Sequence, residues 1–167
     1  MTSHQNLMPQ ASPSPDETAL WQRRLAAQAN NRAWTLSEST SRSPAESQEM
    51  LHAAHAAMHL WSIVGTDKNK AHALQLLAHV HGLLGQADAA SAYLAECRPY
   101  LSHSDREAWE VAMFHAVAAN VAAAGKSVAE HRRHHARARE LIDALPDPRD
   151  KEVLEATFAV VPAPHPG

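Results

Sequence analysis

The sequence predicts an all-α domain of about seven helices paired as antiparallel hairpins, and three observations carry that prediction. Alanine is abundant while aromatic residues make up only 5% of the chain, a balance that suits close-packed helices better than sheets built from β-branched and aromatic side chains. Apolar residues recur at spacings of three and four. Helix-start signals, a serine or threonine followed by proline or glutamate, alternate with glycine stops. A chain of 167 residues, 45% hydrophobic, can bury one independent core and is short for two.

Residues 1–14 are rich in Pro, Ser, Gln and Asn with little to bury, so a tail is expected there, ahead of a helical domain over 15–161. The first helix starts near Asp16 and brings Leu20, Trp21, Leu25, Ala29 and Trp34 onto neighbouring faces. SESTSRSP interrupts it, and Ser43, Pro44 and Glu46 stand in the order of an N-cap, a first-turn proline and a capping-box glutamate. The second helix runs from there to Gly65. A third starts after Thr66 or Asp67 and stops at Gly85, and a fourth covers AASAYLAECRPY. Ser104 with Glu107 three residues on is the expected opening of the fifth, which Gly125 ends. Ser127 caps the sixth, Pro146 and Pro148 close it, DKEVLEATFAVV makes a short seventh, and residues 162–167, PAPHPG, form a second tail. Connections this short require neighbouring helices to run antiparallel.

Superposing Gly85 on Gly125 pairs Leu74 with Phe114, Leu77 with Val117, Ala78 with Ala118 and His81 with Val121. This points to an internal duplication. Leu74, Leu77, Ala78, His81, Gly85, Ala90, Leu94 and Cys97 follow an order that resembles the tetratricopeptide repeat, departing from it at His81 and Ser102, where that repeat usually has an aromatic residue and a proline. In the second unit Glu130, His134 and Arg137 fall where small or apolar residues belong. NNRAW, AAHAAMHLWSIVGTDKNKAHA and LLGQADAASAYLAECRPYL together look like a family of small bacterial tetratricopeptide-like proteins, over most of residues 30–160. The resemblance implies hairpins stacked as a short right-handed superhelix with a concave face for a protein or peptide partner, and it brings no catalytic residue.

There are 13 histidines. His52, His55 and His59 share a stripe with Ser62 on the second helix, while Met50, Leu60, Trp61 and Val64 lie on another side. The residues expected to recognise a partner are His52, His55, His59 and Trp61, with Asn69 and His72 from the third helix and Asn31 and Arg32 from the first. Polar groups beside apolar helix faces orient a ligand, and tryptophan supplies contact area. The rival reading is a metal-binding helical bundle, in which Glu49, His52, His55 and His59 with His131 and His135 hold a divalent transition metal such as Zn, Fe, Ni or Cu. Glu49 and His52 form an E-x-x-H pair, but the second such pair that di-metal carboxylate bundles use is missing. No cofactor is expected on the first reading.

Arg132, Arg133, Arg137 and Arg139 with Lys126 suggest phosphate binding, but a solvated face paired with Glu130, Glu140 and Asp143 is the expectation. A net charge of −3 and the lack of interleaved aromatics speak against nucleic acid. Trp21, Trp34, Trp61 and Trp109 read as anchors between helices, one or two of them lining a groove. The lone cysteine, Cys97, excludes an intrachain disulfide and fits a buried thiol. Phosphate loops and nucleophile elbows are absent, as are a secretory leader and any run near the roughly 18 apolar residues that span a bilayer. The expectation is a cytoplasmic, non-membrane, non-enzymatic interaction module, with self-association open.

Overall fold

The computed structural model describes residues 12–102 and 106–164, and among them every regular element is helical. Seven α-helices follow in order: α1 (Pro15–Ser37), α2 (Pro44–Val64), α3 (Asp67–Leu83), α4 (Ala87–Cys97), α5 (Ala108–Ala124), α6 (Val128–Asp143) and α7 (Pro148–Ala159). A 3-10 turn, Arg98–Ser102, extends α4. The expected tails over residues 1–11 and 165–167, and the proposed Ser104 cap, lie outside the described residues.

Capping chemistry sets most helix starts. Ser14, Ser43 and Thr66 each accept the backbone N–H three residues on, while Glu17, Glu46 and Asn69 return a bond to the cap's own N–H. The first helix therefore opens at Ser14, inside the stretch read as tail. At α5 the reciprocal bond comes from Glu110 Oε2, which accepts from the Glu107 N–H at 3.1 Å. Pro148 opens α7 rather than closing α6, because proline fits the first helical turn and Asp147 accepts the Arg149 N–H at 2.8 Å.

The α3–α4 and α5–α6 hairpins correspond in helix starts and turn geometry, in a register that differs by one residue from the glycine superposition. Thr66 and Glu107, the caps of α3 and α5, lie 41 residues apart, as do the first residues of α4 and α6. The left-handed residue of the first turn is Gly85 (φ +70°), and its counterpart is Lys126 (φ +56°), not Gly125. Each turn is closed the same way, Gln86 N–H donating to His81 O and Ser127 N–H to Ala122 O, both at 2.9 Å.

Consecutive helices pair, α1 with α2, α3 with α4 and α5 with α6, and the odd-numbered helices also contact one another in sequence order, ending with α7 on α5. Ala33, Leu36, Met50, Ala54, Leu76, Leu77 and Val80 make one apolar cluster, and residues of α3 to α7 make a larger one around Val117, Ala138, Ile142 and Leu154. Trp34, Met58 and Tyr93 pack against both and tie them together. Alanines at the contact positions let backbones approach closely, and the fully buried Leu76 and Leu77 each contribute roughly 1.5–3 kcal/mol of burial. The first half of α1 departs from expectation: Leu20, Trp21 and Leu25 are 46%, 57% and 49% exposed. Their helical spacing is as read, but α1, at 23 residues, outruns the 17-residue α3 beside it.

Candidate functional site

Four helices, α1, α3, α5 and α7, enclose one cleft of about 300 Å³. Each contributes residues three or four apart, hence one face: Asn30, Asn31, Trp34 and Glu38 from α1, His72 and Gln75 from α3, Trp109 and Met113 from α5, Val153 and Thr157 from α7. His72 and Met113 occupy corresponding positions of the two repeat units, so the cleft follows from the stacking of the units. Its walls are mostly apolar, with a few convergent polar groups, the usual make-up of a ligand site.

The Trp34 wall rests on a buried imidazole. The Trp34 and His79 rings stack with centroids 5.5 Å apart and planes 28° off parallel. Asn120 Nδ2 donates to His79 O at 2.8 Å and lies 3.2 Å from His79 Nδ1, which places the ring proton on Nε2. Full burial, with the Arg42 guanidinium nearby, pushes the His79 pKa down to about 3, so the ring is neutral at pH 7. Arg42 is itself committed to the end of α1, its Nη1 donating to Leu36 O, Ser37 O and Ser39 O.

At the α5 end an ionic group is balanced. Burial alone raises the Glu110 carboxyl, but the His72 hydrogen bond, the Glu107 N–H and Lys68 outweigh it and hold it below the usual carboxylate range. His72 Nε2–H donates to Glu110 Oε1 at 2.7 Å, and desolvation keeps this imidazole below its ordinary pKa and neutral at pH 7. Lys68 Nζ lies 2.8 Å from Glu107 Oε1, and Arg106 Nη1 lies 3.5 Å from Glu110 Oε1. Two carboxylates therefore meet two cations.

Glu38 has no such balance. Among the described residues it makes no ion pair, and burial raises its pKa. The Thr157 hydroxyl offsets that rise in part without the geometry of a formed hydrogen bond, and Thr157 Oγ1 is left without a partner although the residue is 0% exposed. Arg42 Nε, His79 Nε2 and Thr157 Oγ1, three of the four buried side-chain polar atoms without a partner among the described residues, belong to groups interacting with this end of α1.

Of the residues singled out in the sequence, Asn31 and His72 meet in the cleft, as do Trp34 and Trp109, two of the four tryptophans of which one or two were expected to line a groove. Arg32 forms a bidentate pair with Glu49 at 2.6 and 2.9 Å, and Asn69 caps α3. His52 and His59 are exposed on α2, His52 Nε2 lying 2.8 Å from Gln48 Nε2, and Trp61 packs beside Gly65 at the end of α2. His55 faces His81, their Nε2 atoms 3.3 Å apart. His131 Nε2–H donates to Pro162 O at 2.7 Å, and the His135 ring packs on Phe158. Among the described residues no three His, Cys, Asp or Glu side chains converge to hold a metal ion. The arginine run is largely paired, Arg133 with Glu130, Arg137 with Glu140, and Arg139 with Asp143 and Glu155. Cys97 is buried, its thiol donating to Leu94 O, with a pKa pushed up to about 11 by desolvation.

Asn30, Glu38, Gln75, Met113, Val153 and Thr157 were not singled out. The available signal was the Asn30, Trp34, Glu38 stripe, which places two polar residues in line with an aromatic one at successive helical turns. The chain matches no known family, no curated protein and no solved structure in the comparisons made. Among the described residues no helix is long and apolar enough to cross a membrane.

Proposed function

We propose that this protein is a non-enzymatic interaction module of tetratricopeptide-like type, whose odd-numbered helices form an inner wall that holds an extended peptide or partner segment. The observation that carries this reading is the cleft itself, to which all four odd-numbered helices contribute and α2, α4 and α6 do not. In a stack of helical hairpins the first helices of successive units line the concave side, and that side holds partners. The repeat interval of 41 residues supports the reading in kind, although it exceeds the roughly 34 residues of the tetratricopeptide repeat. The helices here are longer, 17 residues in α3 and in α5.

The experiment is a selection from a random linear peptide library, followed by affinity measurement on two variants. Asn30 and Asn31 lie on an accessible helix face, and their joint replacement by alanine keeps the helix, since alanine is the better helix former. That double variant loses binding of the selected peptides by about tenfold or more if the cleft holds them. The His52→Ala, His55→Ala double variant binds as the parent does. The opposite pattern moves the site to the outer histidine stripe and overturns the reading.

A further inference from the structure

Glu38 sits four residues beyond Trp34 on the same face of α1, at the C-cap of that helix. The last turn of α1 carries no basic residue, and the negative end of the helix dipole adds to the charge of the carboxylate. The cations nearest the cleft are engaged elsewhere: Arg42 on three carbonyl oxygens, Lys68 on Glu107, Arg106 on Tyr100 O and Glu110. The Thr157 hydroxyl, fully buried and so out of reach of a guest, lies close enough to Glu38 to lower its pKa in part but supplies no charge. A half-buried carboxylate without a counter-ion is costly, and an incoming cationic group that donates hydrogen bonds relieves that cost.

Resting on the reading of the cleft as the partner-binding face, we propose that it anchors a lysine or arginine side chain of a basic peptide, the charged head at Glu38 and the aliphatic stem along Trp34 and Val153. His79 covers one face of the Trp34 ring, and the indole also lines the cleft. A cation beside that ring gains further from the electron-rich face. The Glu38 oxygens accept hydrogen bonds, which favours a head group that donates over a quaternary ammonium, which cannot. An acidic peptide would place a second negative charge beside Glu38 and is disfavoured.

The test uses the full chain and three blocked pentapeptides, alanines around a central lysine, arginine or norleucine, titrated while the tryptophan indole N–H signals are followed by NMR. Lysine and arginine peptides bind about tenfold more tightly than the norleucine peptide, which has the same stem without the charge. Glu38→Gln, which keeps the shape and removes the charge, brings all three within about twofold of each other. Norleucine binding as tightly as lysine, or a lysine preference that survives Glu38→Gln, overturns the inference and leaves the cleft as a binding face. If no pentapeptide moves the Trp34 signal, this anchor is refuted. The peptide-library selection then decides independently whether the cleft binds partners at all.

Discussion

Acid should destabilise this protein well above the pH at which carboxylates titrate, and His79 lets the effect be worked out for one residue. Its folded-state pKa of about 3 lies below the ordinary 6.5, so the unfolded chain takes up a proton that the folded chain refuses. The stability from keeping this ring neutral is fully present above 6.5 and drains away as the pH falls towards 3. At pH 5 the gap from the ordinary value, at about 1.4 kcal/mol per pH unit, amounts to about 2 kcal/mol for this fully buried ring. His55, His72, His115, His134 and His135 are also lowered by burial and act in the same direction. His79→Phe keeps a ring against Trp34, cannot be protonated, and spares the Asn120 bond to the main-chain oxygen. Urea unfolding followed by far-ultraviolet circular dichroism, between about pH 7 and about pH 5, measures both proteins. The variant loses about 2 kcal/mol less than the parent across that range. Parallel losses would show that His79 is not the buried neutral ring described here.

Gly82→Ala places a methyl 2.6 Å from Asn120 Nδ2, on a residue already held by His79, and lowers stability by about 2–3 kcal/mol in the same urea assay; an unchanged midpoint would deny that close approach. Gly85→Ala meets no atom within 4 Å, so its loss of about 1 kcal/mol comes from the positive φ alone, whereas Lys126→Gly relieves the same conformation and raises stability by up to about 1 kcal/mol. A change of the same sign in both would break the equivalence of the two turns. Thr157→Val exchanges an unpartnered buried hydroxyl for a methyl group and stabilises the free protein by about 1 kcal/mol, seen calorimetrically as a Tm rise of about 2–4 °C; a fall would mean that the hydroxyl has a partner.

The parts of the fold that depend on short-range chemistry were readable from the residues. Ser43, Pro44 and Glu46 specify a helix start because the bonds they make are local, and Gly65 ends the same helix as expected. The 41-residue register was missed because glycine is the commonest left-handed residue, which drew the alignment to Gly125 while Lys126 holds that conformation. The exposure of Leu20, Trp21 and Leu25 was not visible either, since periodicity reports a face and not whether another helix covers it. The cleft was legible at Asn31 and His72 and in the expectation that one or two tryptophans line a groove, as Trp34 and Trp109 do, while its other members come together through the stacking of α1, α3, α5 and α7, a long-range fact. The histidines of α2 drew attention by their number. Their spacing is that of a helix face exposed to solvent, and His55 alone among the three meets another imidazole, that of His81.

The four tryptophans are built-in reporters of where a partner sits, Trp34 and Trp109 lining the cleft while Trp21 and Trp61 lie outside it. Adding a library-selected peptide and recording the four indole N–H signals by NMR, each assigned by its phenylalanine substitution, is the most direct measurement. The signals of Trp34 and Trp109 shift together and saturate with one affinity, while those of Trp21 and Trp61 stay in place. Movement confined to Trp21 or Trp61 would put the guest on the outer face of the first hairpin and contradict the account.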